Sequence, residues 1–247
     1  MDLGLKGRTA IVCGASSGMG LAVAETLAAE GANVAMLARR RDVLEREAER
    51  IGALAVRGDV TVPADLERLV ERTLEAFGGI DILVLNSGGP APGPATAIDD
   101  AGAEEAFELV LLSAIRLTRL ALPHLRKSKA GRIVAITSGA VKEPTPQLGL
   151  SNTLRPGVHG YLKSLATELG PEGITVNCVA PGRIETARLA QLYPGGPTEE
   201  QIASIPLQRW GQPSEFADVV GFLVSDRGSY VSGATIPVDG GLSRSLL

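Results

Sequence analysis

The sequence predicts an α/β fold: a doubly wound, parallel seven-stranded sheet with helices on both faces. Three observations carry this expectation. Seven short apolar runs alternate with longer amphipathic stretches, and strands alternating with helices of that length build βαβ units. Runs such as Ile133-Val134-Ala135-Ile136 are continuously apolar, as in a strand covered on both faces. No linker or internal repeat divides the 247 residues, so the chain reads as one domain over 1–247.

Taken in order, strands are expected at 9–13, 33–38, 54–58, 82–85, 132–137, 175–180 and 235–238. Each is a short apolar run, and several end at Gly, Asn or Pro. The intervening amphipathic stretches predict helices at 20–29, 42–50, 63–77 and 103–126, one closing near Leu169, and one at 214–225. Pro156 argues that the helix before Leu169 starts near Asn152 or Thr153, because an interior proline removes a backbone donor. Two segments break the rhythm. The run Gly88-Gly89-Pro90-Ala91-Pro92-Gly93-Pro94 reads as a loop, and 186–208 as a loop with one short helix. Both follow strands, on the side where open sheets bind ligands.

Composition narrows the function classes. Apolar residues make up 45% of the chain and aromatics only 3%, so aliphatic side chains must fill a sizeable core. The net charge is −4 without blocks of like sign, which argues against a nucleic-acid partner. No stretch is long and apolar enough to span a membrane. The start, Met1-Asp2-Leu3-Gly4-Leu5-Lys6-Gly7-Arg8, lacks the apolar region of a signal peptide, so a cytoplasmic location is expected. Cys13 and Cys178 read as buried free thiols. His124 and His159 lack neighbours at ligand spacing, so no metal site is expected.

Directly after the first strand the chain reads Gly14-Ala15-Ser16-Ser17-Gly18-Met19-Gly20 and opens a helix. Glycines let the backbone approach a phosphate closely, and a helix N-terminus offers free N–H groups and a positive dipole end. A strand–loop–helix context is what a dinucleotide cradle requires.

Further marks follow: Asp59-Val60 after the third strand, Leu85-Asn86-Ser87-Gly88-Gly89 after the fourth, and Ser138 after the fifth. Asn177 and Pro181-Gly182-Arg183-Ile184-Glu185-Thr186 surround the sixth, and Val238-Asp239-Gly240-Gly241 closes the series. From end to end the chain resembles the short-chain dehydrogenase/reductase family, 3-oxoacyl-acyl-carrier-protein reductases among them. The resemblance implies a Rossmann-type domain and hydride transfer between a nicotinamide and a carbonyl/alcohol pair. It implies cofactor contacts from Gly14, Ser16, Ser17, Gly18, Met19, Asp59, Val60, Asn86, Ser87, Gly88, Arg155, Pro181, Gly182, Ile184 and Thr186. It also implies a small-molecule substrate enclosed by 186–208, with Leu189, Leu192 and Tyr193 hinting at an apolar lining. A homo-oligomer, dimer or tetramer, is implied through the 151–169 helix and the last strand, and Leu154, Leu162 and Leu165 are consistent with it.

The second strand ends in Ala38 and is followed by Arg39-Arg40-Arg41, with no acid to bind a ribose 2′-hydroxyl. Guanidinium groups suit a phosphate, so NADP(H) is favoured over NAD(H), with Arg39 as principal contact.

The catalytic frame departs from the family. Aligned without a gap from Val176-Asn177, the family's proton-handling Tyr falls on Ser151, its Lys on Arg155 and its helix Asn on Val110; its Ser is kept as Ser138. Ser138, Ser151 and Arg155 are thus the candidate catalytic residues. Ser is a poor acid, and its short side chain leaves room for water. Tyr161 and Lys163 lie too far along the helix to substitute, while Lys142 and Glu143 could edge the site. Three readings stay open: an NADP(H)-dependent oxidoreductase, a cofactor-binding protein with little turnover, and a lyase or isomerase on the same scaffold.

Overall fold

Each of the expected apolar runs forms a strand, and all seven pair in parallel in the order β3-β2-β1-β4-β5-β6-β7. In the computed structural model, which describes residues 2–246, the strands are β1 (Thr9–Cys13), β2 (Asn33–Ala38), β3 (Leu54–Arg57), β4 (Ile82–Leu85), β5 (Arg132–Ile136), β6 (Thr175–Pro181) and β7 (Thr235–Val238). Successive strand residues face opposite sides, and this sorts the core into two layers. Ile11, Cys13, Leu37, Leu83, Ile133 and Val176 pack towards α3 (Pro63–Phe77), α5 (Ser113–Leu125) and α6 (Gly149–Leu169). Val12, Met36, Val84, Val134 and Val179 pack towards α1 (Gly18–Ala29), α2 (Arg41–Ile51) and α9 (Pro213–Val224). Aliphatic side chains fill both layers, with Phe216 the largest fully buried side chain. Cys13 and Cys178 are buried and free, as their apolar runs predict.

The sheet order places β1 beside β4, where the chain changes winding direction. The loops leaving these two strands part from one another, and the crevice between them is where open α/β sheets bind ligands.

Three elements differ from expectation. The helix read over 103–126 is in fact α4 (Asp100–Phe107), a π-helical turn over Glu108–Leu112, and α5. Asp99 caps α4 by accepting from the Gly102 amide at 2.8 Å, which draws the start forward. Isolated π turns are frequent at functional sites, and this one carries buried Val110. The α6 helix starts at Gly149, before Ser151, despite Pro156. The Asn152 side chain pins this first turn through two bonds to the Thr145 backbone, at 3.0 and 2.9 Å. The proline is exposed, while a stripe of Ser151, Arg155, Val158, Leu162, Leu165 and Leu169 is buried; that packing outweighs the lost donor. Finally, 186–208 holds two short helices, α7 (Ala187–Leu192) and α8 (Glu199–Ala203), each capped by a threonine, Thr186 and Thr198.

Leu162 and Leu165 belong to the core of their own chain and Leu154 packs against it. Leu154 is only half-buried, while Leu162 and Leu165 are taken up by this core. The helical period placed them on the sheet-facing stripe.

Candidate active site

The glycine loop runs from the end of β1 into α1. Gly14 (φ 58°) takes a left-handed conformation that side chains with a Cβ adopt reluctantly. A Cβ on Gly20 would stand 2.4 Å from the Gly14 carbonyl oxygen, so only glycine lets α1 start this close to the strand end. Ser17 caps the helix in an extended conformation without a side-chain bond to it, and the first turn holds no acid. The N-terminal amides and the positive end of α1 are thus left for an anion. The Asn86 amide donates to the Cys13 carbonyl at 3.1 Å and ties β4 to β1. A Cβ on Gly18 would lie 3.2 Å from Thr186 Cγ2, so the glycine loop and the start of α7 border one another. Ile184 is buried, and Pro181 ends β6.

At the ends of β2 and β3, Arg39 is largely exposed and lies 3.8 Å from Asp59 Oδ2. Asp59 Oδ1 accepts from the Thr61 amide and hydroxyl at 3.0 and 2.9 Å. Arg40 instead reaches across to the glycine loop, its Nη2 donating to Ser17 Oγ at 3.1 Å. Sequence reasoning singled out Arg39; Arg40 is the arginine in contact with the cradle. The signal was the run of three arginines, which does not say which one turns inward.

Ser138 caps a short 3₁₀ turn, Gly139–Val141, accepting from the Ala140 amide at 3.1 Å. Ser151 and Arg155 stand one turn apart on the buried face of α6. Arg155 is 7% exposed; its Nη1 donates to the Ile136 carbonyl at 3.0 Å, its Nη2 to the Gly88 carbonyl, and its Nε has no partner. Burial, and then the charge of Arg188, push the guanidinium down to about 10, so it stays cationic at neutral pH.

Arg155 borders a cavity enclosing about 20 Å³, lined also by Cys13, Asn86, Ser87, Val110 and Ser113 among apolar neighbours, with Ser138 and Ser151 outside its lining. That is room for about one water molecule. Its wall holds no carboxylate, and Cys13 is pushed up to about 12 by burial. The structure therefore gathers Asn86, Ser87, Val110 and Arg155 around one space, with the glycine loop and Thr186 adjoining one another. His159 lies elsewhere, its Nδ1 2.6 Å from Thr235 Oγ1. Lys163 Nζ donates to the Gly233 carbonyl at 2.7 Å, and Glu143 accepts from the Arg244 amide at 2.7 Å. Leu189 is buried, and Tyr193 packs against Trp210 with ring centroids 6.0 Å apart; neither residue lines the cavity. Arg188, which no motif flagged, donates to the Pro90 carbonyl at 2.7 Å. Among the described residues no cluster of His, Cys, Asp or Glu could hold a metal ion, and no helix is long and apolar enough to cross a membrane.

A parallel sheet of this order, with a glycine loop opening the first helix at the switch point, defines a dinucleotide-binding α/β protein. The chain matches the family model described as Enoyl-(Acyl carrier protein) reductase over residues 14–243. It is 36% identical over 248 residues to the 3-oxoacyl-[acyl-carrier-protein] reductase of Escherichia coli (strain K12), spanning 97% of this chain and 99% of that one. L-sorbose reductase from Gluconobacter frateurii, solved with NADPH and L-sorbose, superposes with a TM-score of 0.93 at 32% identity and covers 100% of both chains. The 3-ketoacyl-(acyl-carrier-protein) reductase of Brucella melitensis, solved with NADH, superposes with a TM-score of 0.90 at 32% identity over 97% of this chain and 99% of that one. The chain belongs to the short-chain dehydrogenase/reductase family of oxidoreductases. Relatives solved with NADPH or NADH support a nicotinamide dinucleotide as its cofactor class.

Proposed function

We propose that the protein is a cytoplasmic, homo-oligomeric NADP(H)-dependent oxidoreductase that reduces a carbonyl or oxidises an alcohol on a small molecule, a 3-oxoacyl thioester being one such substrate. One observation carries the cofactor choice: no acid ends β2, Arg39 and Arg40 follow it, and Arg40 touches Ser17 of the glycine loop. An acid there would repel a 2′-phosphate, whereas guanidinium groups bind it through paired hydrogen bonds.

Gly14, Ser16, Ser17, Gly18 and Met19 would hold the pyrophosphate, Asp59 and Val60 the adenine, and Asn86, Ser87, Gly88, Pro181, Gly182, Ile184 and Thr186 the nicotinamide half. When bound, the nicotinamide supplies or accepts the hydride. Ser138 orients the carbonyl oxygen. Arg155 keeps the reacting end positive and offers its remaining N–H groups to ribose hydroxyls, but it releases no proton at neutral pH. A serine at 151 reaches less far than a phenol would and is a poor acid, so in this reading a water carries the proton. Forgoing a tuned acid costs on the order of 10²–10⁴-fold in rate, while positioning survives.

A second reading, cofactor binding with little turnover, is favoured by one observation: the cavity wall holds no carboxylate, histidine or phenol, and its Cys13 thiol and Arg155 guanidinium both stay protonated at neutral pH. Calorimetric titration of cofactor-stripped protein with NADPH and NADH, followed by a carbonyl panel read at 340 nm, separates the two. Tight NADPH binding with turnover supports the oxidoreductase, and binding without turnover supports the second reading. Binding of neither cofactor defeats both. Arg39→Ala and Arg40→Ala are expected to weaken NADPH roughly tenfold to a hundredfold and leave NADH unchanged.

A further inference from the structure

Arg155 and Arg188 reach the same side of this crevice, bonding to Gly88 and Pro90. Several other guanidinium groups meet carboxylates: Arg116 pairs with Glu108 and Arg209 with Glu215. Among the described residues neither Arg155 nor Arg188 has a carboxylate within ion-pair distance. Their partners are three carbonyl oxygens, those of Ile136, Gly88 and Pro90. Carbonyls satisfy N–H groups but leave the charge in place. Burying a charge without a counter-charge is costly, and here two cations share one side of a crevice. Arg188 lies against Gly89, where an added Cβ would stand 3.3 Å from its Nη2. Both side chains therefore converge on the strip 88–90, Arg155 from α6 and Arg188 from α7 of the loop over the crevice. Arg155 is more than nine-tenths buried, borders the cavity, and its Nε is unpartnered. No acid lines that wall to neutralise it.

We infer that these two arginines form a site for the carboxylate of the substrate, making it an oxo acid or hydroxy acid rather than a neutral ketone. This rests on the oxidoreductase reading and names the substrate class of the same crevice. A carboxylate matches a guanidinium fork in its plane, oxygen to N–H. Among the described residues Arg188 uses only its Nη2, leaving Nη1 and Nε for that grip, and Arg155 supplies the uncompensated charge and an orphan donor behind it. The carboxylate then fixes the adjoining carbon at the reacting end, and anchoring of this kind partly offsets the missing proton donor through orientation.

The test is calorimetric titration of the full chain with oxalate, its neutral counterpart oxamide, and inorganic phosphate, alongside NADPH. Oxalate is expected to bind and oxamide is not. Arg188→Gln should weaken oxalate roughly tenfold to a hundredfold, and Arg188→Lys should recover part of the loss, with NADPH affinity and the unfolding midpoint unchanged in both. Oxalate binding indifferent to Arg188→Gln, oxalate and oxamide binding alike, or phosphate outcompeting oxalate across the variants would overturn the carboxylate site, even with NADPH binding intact. Loss of NADPH binding by the unmodified protein would instead defeat the oxidoreductase reading, so the two failures are told apart.

Discussion

Arg155 joins two strand ends: its guanidinium donates to the Ile136 carbonyl at 3.0 Å, where β5 finishes, and to the Gly88 carbonyl in the loop after β4. Asn86 performs the matching task one strand over, donating to the Cys13 carbonyl at the end of β1. The floor of the crevice is therefore held by side chains bonding to backbone across three neighbouring strand ends. An arginine in the buried stripe of α6, where the period calls for an aliphatic residue, reaches these carbonyls because its planar fork spans two acceptors.

Arg155→Lys tests that span. An ammonium is a compact point charge and cannot bridge both oxygens as the fork does, so one buried carbonyl loses its donor. Leaving a buried polar group unpaired costs about 1–3 kcal/mol. In a chain of this size each kcal/mol lowers the unfolding midpoint by roughly 2–4 °C. The midpoint from circular dichroism should fall by several degrees; an unchanged midpoint would show that the bridge contributes nothing.

Ser151→Tyr combined with Arg155→Lys tests the proton path. If the chemistry lacks only an acid of suitable strength, supplying a phenol with a cation one turn away should raise turnover on an accepted carbonyl by roughly 10²-fold or more. NADPH consumption at saturating cofactor measures it. A double variant that loses a robust native activity would show that Ser151 and Arg155 serve a different mechanism.

Gly20→Ala tests the cradle. The new Cβ would meet the Gly14 carbonyl oxygen at 2.4 Å and Asn86 Nδ2 at 2.8 Å, and the first contact is with backbone that cannot swing aside. The start of α1 must withdraw from the strand end. The expected cost is about 1–3 kcal/mol of stability, typical of overpacking. NADPH affinity should fall with it, because the amides that face the phosphates move. Chemical denaturation and calorimetry on one preparation read both; a stable variant with undiminished affinity would show that the loop absorbs a methyl group.

Every strand was legible because each is a short apolar run covered on both faces, a pattern burial imposes regardless of context. Boundary differences, such as β3 ending at Arg57 and β6 running to Pro181, arise where pairing with a neighbour stops. What stayed hidden depends on the third dimension. The π turn at 108–112 has no propensity signature. The early start of α6 rests on Asn152 bonding to Thr145, a contact that the sequence does not announce and that Pro156 argues against. Arg39 was named and Arg40 not, since adjacent arginines differ only in which way the chain turns them at the start of α2. Arg188 lies in a loop without a motif, and only its approach to Pro90 places it beside the crevice.

His159 gives a pH dependence whose sign follows from its surroundings. Its Nδ1 lies 2.6 Å from Thr235 Oγ1; burial first, then the charges of Lys142 and Lys163, lower its pKa from the ordinary 6.5. As the pH falls below about 6.5, the unfolded chain takes up a proton that the folded protein resists. The unfolded state then binds more protons, so stability rises with pH in this window and is lost on acidification towards the lower folded value. The effect ends once both states are protonated. His159→Gln keeps a partner for Thr235 and removes the titration. Urea midpoints measured from pH 7.5 to 5 should slope less in the variant than in the parent protein. Parallel slopes would place the acid sensitivity on other groups and deny His159 a resisted proton.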